Sequence, residues 1–552
     1  MQKKQLTLVI VSLLVVVLSV SLAYFTAQII GKGKSVTINS ADLKIVFTDS
    51  DGSISGSNIE PGKWNVTKTF TIENKSNETY KYNIVIQDLV NNFVTEGYLQ
   101  YKITSTDGGY NMTEFKDVPK SSVATDTILA YSVSIPVGVT QSYTVEFKYS
   151  NDESVDQSED MGKTLSGKLF ITEGTEDIYA GYEKGTLGYQ IMGDNPTRNT
   201  RDTYDAVFTN NTTGTLFTAT EKNVHNTTDT TVYYYAGNTT NNWVKFGIFA
   251  SDGPIRGYDS ANSTSFKEYT TLEECNSASS YNTNCSYAWK KGDPMYWRII
   301  RTNADGSVRL LYSGTSYDIT EGYIGKSKFT KTIKDPMYVG YKYGTSGTLE
   351  SNRTNENDST IKTYIDTWYQ NNLIVYTKYL SSNAVYCNDR ELKSGEKYST
   401  TSFFYASDER INTNKQPTYN CTNMRDAFSI NNTEAKLTYP IALMTADEVS
   451  YAGGQVSTKL TAPYAWYYTN ANGESITGSN LTWSLTPYYL GMFGVSVWGV
   501  HGSDSPGSLV QALVGNLAVV RPAISLKSCV KYSSGDGTAG NPYTIKETTS
   551  GC

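Results

Sequence analysis

Apolar residues along this chain follow three regimes. Leu6 to Phe25 is a run without a charged side chain. From Ser35 to Thr172 apolar and polar positions alternate. Tyr80, Tyr82, Ile84 and Ile86 form one such series, Tyr131, Val133 and Ile135 a second, and Tyr143, Val145, Phe147 and Tyr149 a third. Period-two alternation marks strands with one buried and one wet face. Gly- and Asn-rich turns separate these series, and no helical period intervenes. The pattern predicts an all-β sandwich over residues 31–173. Residues 174–200 are polar and Gly-rich and read as a linker. Residues 201–552 then mix strand and helix patterns, as in an α+β domain.

Within that last region several elements are explicit. Trp297 to Arg301 and Val308 to Tyr312 flank Asn303, Ala304, Asp305 and Gly306, a hairpin signal. Ile361, Tyr364, Ile365 and Trp368 repeat at helical spacing behind Asn357 or Asp358 as the cap. Thr445 and Glu448 are spaced as a capping box after the apolar strand Pro440–Met444, and Gly453 and Gly454 end that helix. Leu517 to Pro522 reads as a closing strand.

The leading apolar run is long enough for a membrane span, which needs ~20 apolar residues. Lys3 and Lys4 ahead of it hold that end in the cytoplasm. Residues 1–30 therefore read as a signal or transmembrane helix. It can stay as an anchor, with the N-terminus cytoplasmic, or be cut at Ser21, Leu22 and Ala23. In both cases the remainder is placed on the extracellular face of the membrane or secreted.

Composition narrows the class. The chain carries 47 basic and 54 acidic residues, a net charge of -7, and no basic cluster that would point to nucleic acid. Only 18% of residues are charged while 44 are Tyr, a balance that suits an exported β-rich protein. The six cysteines fall in the C-terminal part, and an even count in an exported chain reads as disulfides. Fifteen connectivities are possible for six cysteines. Sequence proximity favours Cys275–Cys285, Cys387–Cys421 and Cys529–Cys552. With no C-x-x-C spacing and only His225 and His501 as histidines, no metal and no cofactor is expected. Asp49 to Ser53, with Glu60 at the twelfth position counted from Asp49 as the first, imitates a calcium loop, but its flanks read as strand and turn, so a polar hairpin turn is the expectation.

Two resemblances rest on specific phrases. The apolar leader ends in Ala23, Tyr24, Phe25 and Thr26. A strand near Ala41, Asp42 and Leu43 follows, then Ile59, Glu60, Pro61 and Gly62, then Ile72, Glu73 and Asn74. This order resembles the TasA/camelysin family of secreted bacterial surface and fibre proteins over roughly the first 170 residues. The resemblance implies extracellular placement and self-assembly into filaments or matrix.

From about Thr231 onward the chain resembles a group of uncharacterised bacterial surface proteins. The resemblance rests on Trp297 to Arg301, Cys387 to Arg390, Thr445 to Glu448 and Val520 to Pro522. The segment between Phe249 and Tyr296 is an insertion relative to them, read as a disulfide-pinned surface loop. Leu443 to Glu448 also looks like the strand-to-helix corner of the C-type-lectin-like and formylglycine-generating-enzyme fold, an analogy that does not fix function.

No nucleophile elbow surrounds a serine. His501, Ser503 and Asp504 are neighbours in a polar loop, which does not build a triad. These features favour a non-enzymatic surface protein that binds a ligand or adheres, with a filament or biofilm-matrix subunit as the alternative. Rings supply rigid contact area, so Trp466, Tyr468, Trp483, Tyr488 and Trp498 are the candidate ligand-binding residues. Aromatics also dominate core burial, and most of these rings are expected inside. The implied partners are the membrane, through the leader, and a saccharide or protein ligand.

Overall fold

Strands dominate the computed structural model, at 39% against 12% helix. It describes residues 35–40, 43–49, 54–56, 59–95, 97–173, 178–179, 181–261 and 265–552. Residues 1–30, read as a signal or transmembrane helix, lie outside the described residues, as do residues 50–53 of the calcium-like segment. Glu60 at that segment's end pairs with Lys63 at 2.8 Å. Among the described residues no helix is long and apolar enough to cross a membrane. The chain divides into two units, one ending at Tyr179 and one spanning Ala180–Cys552.

In the first unit the alternating series become strands whose apolar faces turn inward. One sheet runs, in spatial order, Ser35–Ser40, Leu43–Asp49, Asn65–Asn74, Thr140–Tyr149, Leu99–Ser105 and Lys116–Asp117. A second runs Ile54–Gly56, Leu165–Glu173, Tyr80–Asn91 and Ser121–Ile135. Neighbouring strands pair antiparallel. Tyr82, Ile84 and Ile86 of the smaller sheet share one core with Tyr143, Val145 and Phe147 of the larger. This is sandwich packing. The Pro61–Gly62 turn works as its chemistry requires: Gly62 has φ 72°, open to glycine at no steric cost, and its N–H donates to the Tyr149 carbonyl at 2.7 Å. Asn74 is fully buried. Its Nδ2 donates to the Glu78 and Ile135 carbonyls at 2.8 and 2.9 Å, and its Oδ1 accepts from the Ser76 N–H at 2.9 Å.

The second unit holds two larger sheets. The first has Thr197–Thr200, Thr215–Asn223, Asn226–Tyr234, Pro294–Thr302, Trp243–Ile248, Tyr543–Ile545 and Tyr532–Ser534 in order. Val308–Tyr312, Pro522–Leu526 and Ile441–Leu443 extend it from Pro294–Thr302. The second has Lys326–Lys328, Leu517–Val519, Thr482–Gly491, Gly494–Val500 and Leu509–Leu513, with Phe403–Phe404 paired to Thr482–Gly491.

The Asp305–Gly306 hairpin forms. Gly306 has φ 76°, and Asp305 Oδ1 accepts from the Ser307 N–H at 3.0 Å. Thr445 and Glu448 close the capping box of the helix Ala446–Ala452, and Gly453 ends it at φ 120°. The helix Thr360–Asn372 buries Ile361, Ile365 and Trp368, but Ser359 is its cap, with Oγ accepting from the Lys362 N–H at 3.2 Å.

Two sequence readings change. The stretch read as a linker carries the helix Leu187–Asp194, capped by Thr186, and the strand Thr197–Thr200. Its apolar stripe is short, Leu187, Ile191 and Met192, and Gly188 and Gly193 interrupt the pattern. The expected closing strand is two strands. Leu517–Val519 belongs to the second sheet and Pro522–Leu526 to the first, so the chain crosses between sheets at Val520 and Arg521.

The insertion before Tyr296 is more than a loop. Phe266–Tyr269, Ile255–Tyr258 and Thr283–Tyr287 form a small sheet, and Cys275–Cys285 clips the helix Leu272–Ser277 onto it. Cys387–Cys421 and Cys529–Cys552 are also bonded, and no cysteine is free.

Candidate functional site

Four of the five candidate rings lie inside. Trp466, Trp483 and Trp498 are each 1% exposed. Their indole N–H groups donate to the Tyr235 carbonyl at 2.9 Å, the Ser327 carbonyl at 2.8 Å and Ser407 Oγ at 3.0 Å. A buried indole needs such a partner, and each has one. Tyr468 is also buried. These four rings are core, and Tyr488 alone of the five is half-buried.

Tyr488 is different. It is half-buried, packed on Trp498 with ring centroids 3.9 Å apart. Tyr489 and Phe404 are half-buried beside it. Phe404 stacks on Tyr489 at 4.4 Å and lies 5.9 Å from Tyr488. The ledge follows from strand pairing, since Phe404 lies opposite Tyr489. Tyr488 and Tyr489 are consecutive, but a register irregularity between Pro487 and Tyr489 breaks the simple alternation there.

Polar groups border the ledge. Lys393 Nζ lies 5.3 Å from the Phe404 ring and 2.7 Å from Asp408 Oδ2. Its hydrogen bond to Asp408 raises the Lys393 pKa. Burial, then the Asp408 charge, raises that of the Tyr488 phenol. Ser402 Oγ and the Tyr489 hydroxyl are 3.3 Å apart.

Asp408 opens a wide helical turn, Asp408–Thr413, whose bonds span five residues, as in the Asn414 N–H to Glu409 carbonyl bond of 2.7 Å. Such turns are rare and concentrate at functional sites. On it, Arg410 grips Asp447 through Nε and Nη2 at 2.7 and 2.9 Å and reaches Asp389 Oδ2 at 2.9 Å. Burial opposes the Arg410 charge, and Asp447 and Asp389 outweigh it and raise its pKa.

Beneath lies a polar cleft shared by Arg410, Asp447, Arg301, Arg309 and Glu448, with Cys387 and Cys421 in its wall. Glu448 Oε1 meets Arg301 Nε at 3.0 Å and Arg309 Nη1 at 2.7 Å, and Glu221 Oε2 meets Arg301 Nη1 at 2.6 Å. These charges are paired and hydrogen-bonded to one another, which suits them to holding the fold.

Sequence reasoning did not single out Phe404, Lys393, Asp408 or Arg410. A signal for the ion network was present in Arg301 and Arg309, each embedded in an apolar strand run.

The histidines are apart. His225 Nε2 lies 2.7 Å from Ser429 Oγ, and Ser429 is 1% exposed. His501 lines a separate cavity with Arg521. Among the described residues no group of three His, Cys, Asp or Glu side chains is placed to hold a metal ion. No family model, curated protein or solved structure matches this chain.

Proposed function

We propose that this chain is a non-enzymatic, extracytoplasmic surface protein whose C-terminal unit binds a saccharide on the ledge of Phe404, Tyr488 and Tyr489. The observation that carries the reading is the open stacked pair Phe404–Tyr489, 4.4 Å apart, bordered by the Lys393–Asp408 ion pair. A sugar ring has an apolar C–H face and a rim of hydroxyls. The C–H face suits the half-buried rings of Phe404, Tyr488 and Tyr489. The hydroxyls match Lys393 as donor and Ser402 as both donor and acceptor.

Three disulfides with no free thiol support placement in an oxidising compartment. The leader sequence supplies the route there and the attachment to the membrane.

A glycan array probed with the purified full chain tests the reading, with hits titrated against Phe404→Ala and Tyr489→Ala. Binding that survives both variants unchanged sinks the ledge. Fibres seen by electron microscopy without glycan binding would favour the filament or matrix subunit instead.

A further inference from the structure

Among the described residues of the second unit, buried arginines divide into two groups. Arg256, Arg301, Arg309, Arg353 and Arg390 each meet a carboxylate at 2.6–3.3 Å. Arg298 and Arg521, 2% and 4% exposed, form no ion pair with any described carboxylate.

Arg298 donates to Asn242 Oδ1 at 2.5 Å and the Thr239 carbonyl at 2.9 Å, and its cation lies 4.2 Å from the Trp243 ring. That ring face partly offsets the charge.

Arg521 has no such ring contact. Its Nε donates to the Tyr312 carbonyl at 3.1 Å, Nη1 to the Tyr467 carbonyl at 2.6 Å and Nη2 to Ser313 Oγ at 3.2 Å. A guanidinium has five N–H donors, so two remain. The residue stands where the chain crosses from one sheet to the other. Burial pulls its pKa down to about 9. Burial, then the Arg521 charge, lowers that of Arg298 well below its usual value. Two cations therefore repel each other in the interior, and a buried charge without a partner is costly.

Arg521 also lines a cavity with His501, Tyr468, Trp483 and Ser484. His501 Nδ1 is buried without a protein partner. An uncompensated guanidinium with spare donors and an unpartnered imidazole nitrogen thus border one small cavity.

We propose that this cavity is a binding site for a single small monovalent anion, held by Arg521 and His501. The anion neutralises Arg521, relieves its repulsion of Arg298 and pins the crossing between the two sheets. Binding that is selective for the folded state raises stability as RT ln(1 + [anion]/Kd), climbing logarithmically once the anion exceeds its Kd.

The test uses the full chain with chloride and bromide as probes. Chloride replaces gluconate at constant ionic strength while thermal unfolding is followed. The expected result is a midpoint that rises with chloride along the logarithmic curve of one-site binding to the folded state, and that is insensitive to chloride in Arg521→Gln. Should that variant not fold, His501→Phe serves as the second, with the chloride response reduced at least tenfold in apparent affinity. Independently, crystals of the unsubstituted chain grown in sodium bromide are expected to show one anomalous peak in contact with the Arg521 guanidinium. Bromide crystals without that peak, or a midpoint that follows ionic strength alone, overturn the proposal.

Discussion

Glu448 Oε1 lies 2.7 Å from Arg309 Nη1, and both side chains are 1% exposed. They stand 139 residues apart in the chain. The contact joins the strand after the Asp305–Gly306 hairpin to the first turn of the helix Ala446–Ala452. Glu448 serves twice, since its Oε2 also accepts from the Thr445 N–H at 3.0 Å in the capping box.

Removing that carboxylate leaves Arg309 with no carboxylate and Arg301 with Glu221 alone. Breaking a buried pair by deleting one partner costs about 3–5 kcal/mol. Glu448→Gln is expected to lower the unfolding free energy of the second unit by that order, measured by urea denaturation of the full chain. A loss under 1 kcal/mol would show that the network is energetically idle.

The same residue sets a pH dependence. Burial alone would raise the Glu448 carboxyl, but Arg309 and Arg301 outweigh it and hold the pKa below the usual value. A depressed folded value means stability that is present above the unfolded pKa, about 4.3, and lost as pH falls through the folded one. Urea midpoints taken from pH 7 down to pH 3 should fall more steeply for the unsubstituted chain than for Glu448→Gln. Parallel curves would remove Glu448 as the origin.

Ledge and core rings should respond differently. Trp466→Ala and Trp483→Ala remove buried indoles and should cost about 3–5 kcal/mol, since large-to-small core changes leave cavities. Phe404→Ala and Tyr489→Ala should weaken saccharide binding at least tenfold and shift unfolding much less. Calorimetry and thermal melts on the four variants separate the two effects. A Trp466→Ala protein that melts like the parent would contradict its core placement.

Cys387–Cys421 closes a separation of 34 residues beside the polar cleft. Loop-closure entropy gives such a bond about 3–4 kcal/mol. The Cys387→Ser, Cys421→Ser double variant is expected to lose that much by urea denaturation. Thiol titration of the denatured parent should read zero groups before reduction and six after, matching three bonds and no free cysteine.

Asn74→Ala in the first unit deletes the side chain that bonds to Glu78, Ile135 and Ser76. Unsatisfied buried groups cost about 1–3 kcal/mol each. The first unit is expected to unfold at distinctly lower denaturant, read by hydrogen exchange of the strand Tyr80–Asn91.

Much of the fold was legible because it is written in local periods. The Tyr143 to Tyr149 series turns inward in the structure because a strand's side chains alternate faces whatever lies opposite. The Asp305–Gly306 turn and the Thr445–Glu448 cap need only their own few residues. Pairing of neighbouring cysteines was legible for the same reason. The short helix Leu187–Asp194 escaped notice because its stripe of three apolar residues is too brief to stand out from its glycines.

The site was decided by tertiary structure. Nothing local distinguishes Trp498, sealed under Tyr488, from Tyr489, open beside Phe404. Which face of a ring meets water depends on strands brought together from distant parts of the chain. The same holds for Arg301, paired with Glu221 and Glu448 at separations of 80 and 147 residues, and for Arg521, which has no carboxylate. Sequence determined the elements, whose causes lie within a few residues. Only packing decided which charges were matched and which rings stayed exposed, because both depend on long-range contacts.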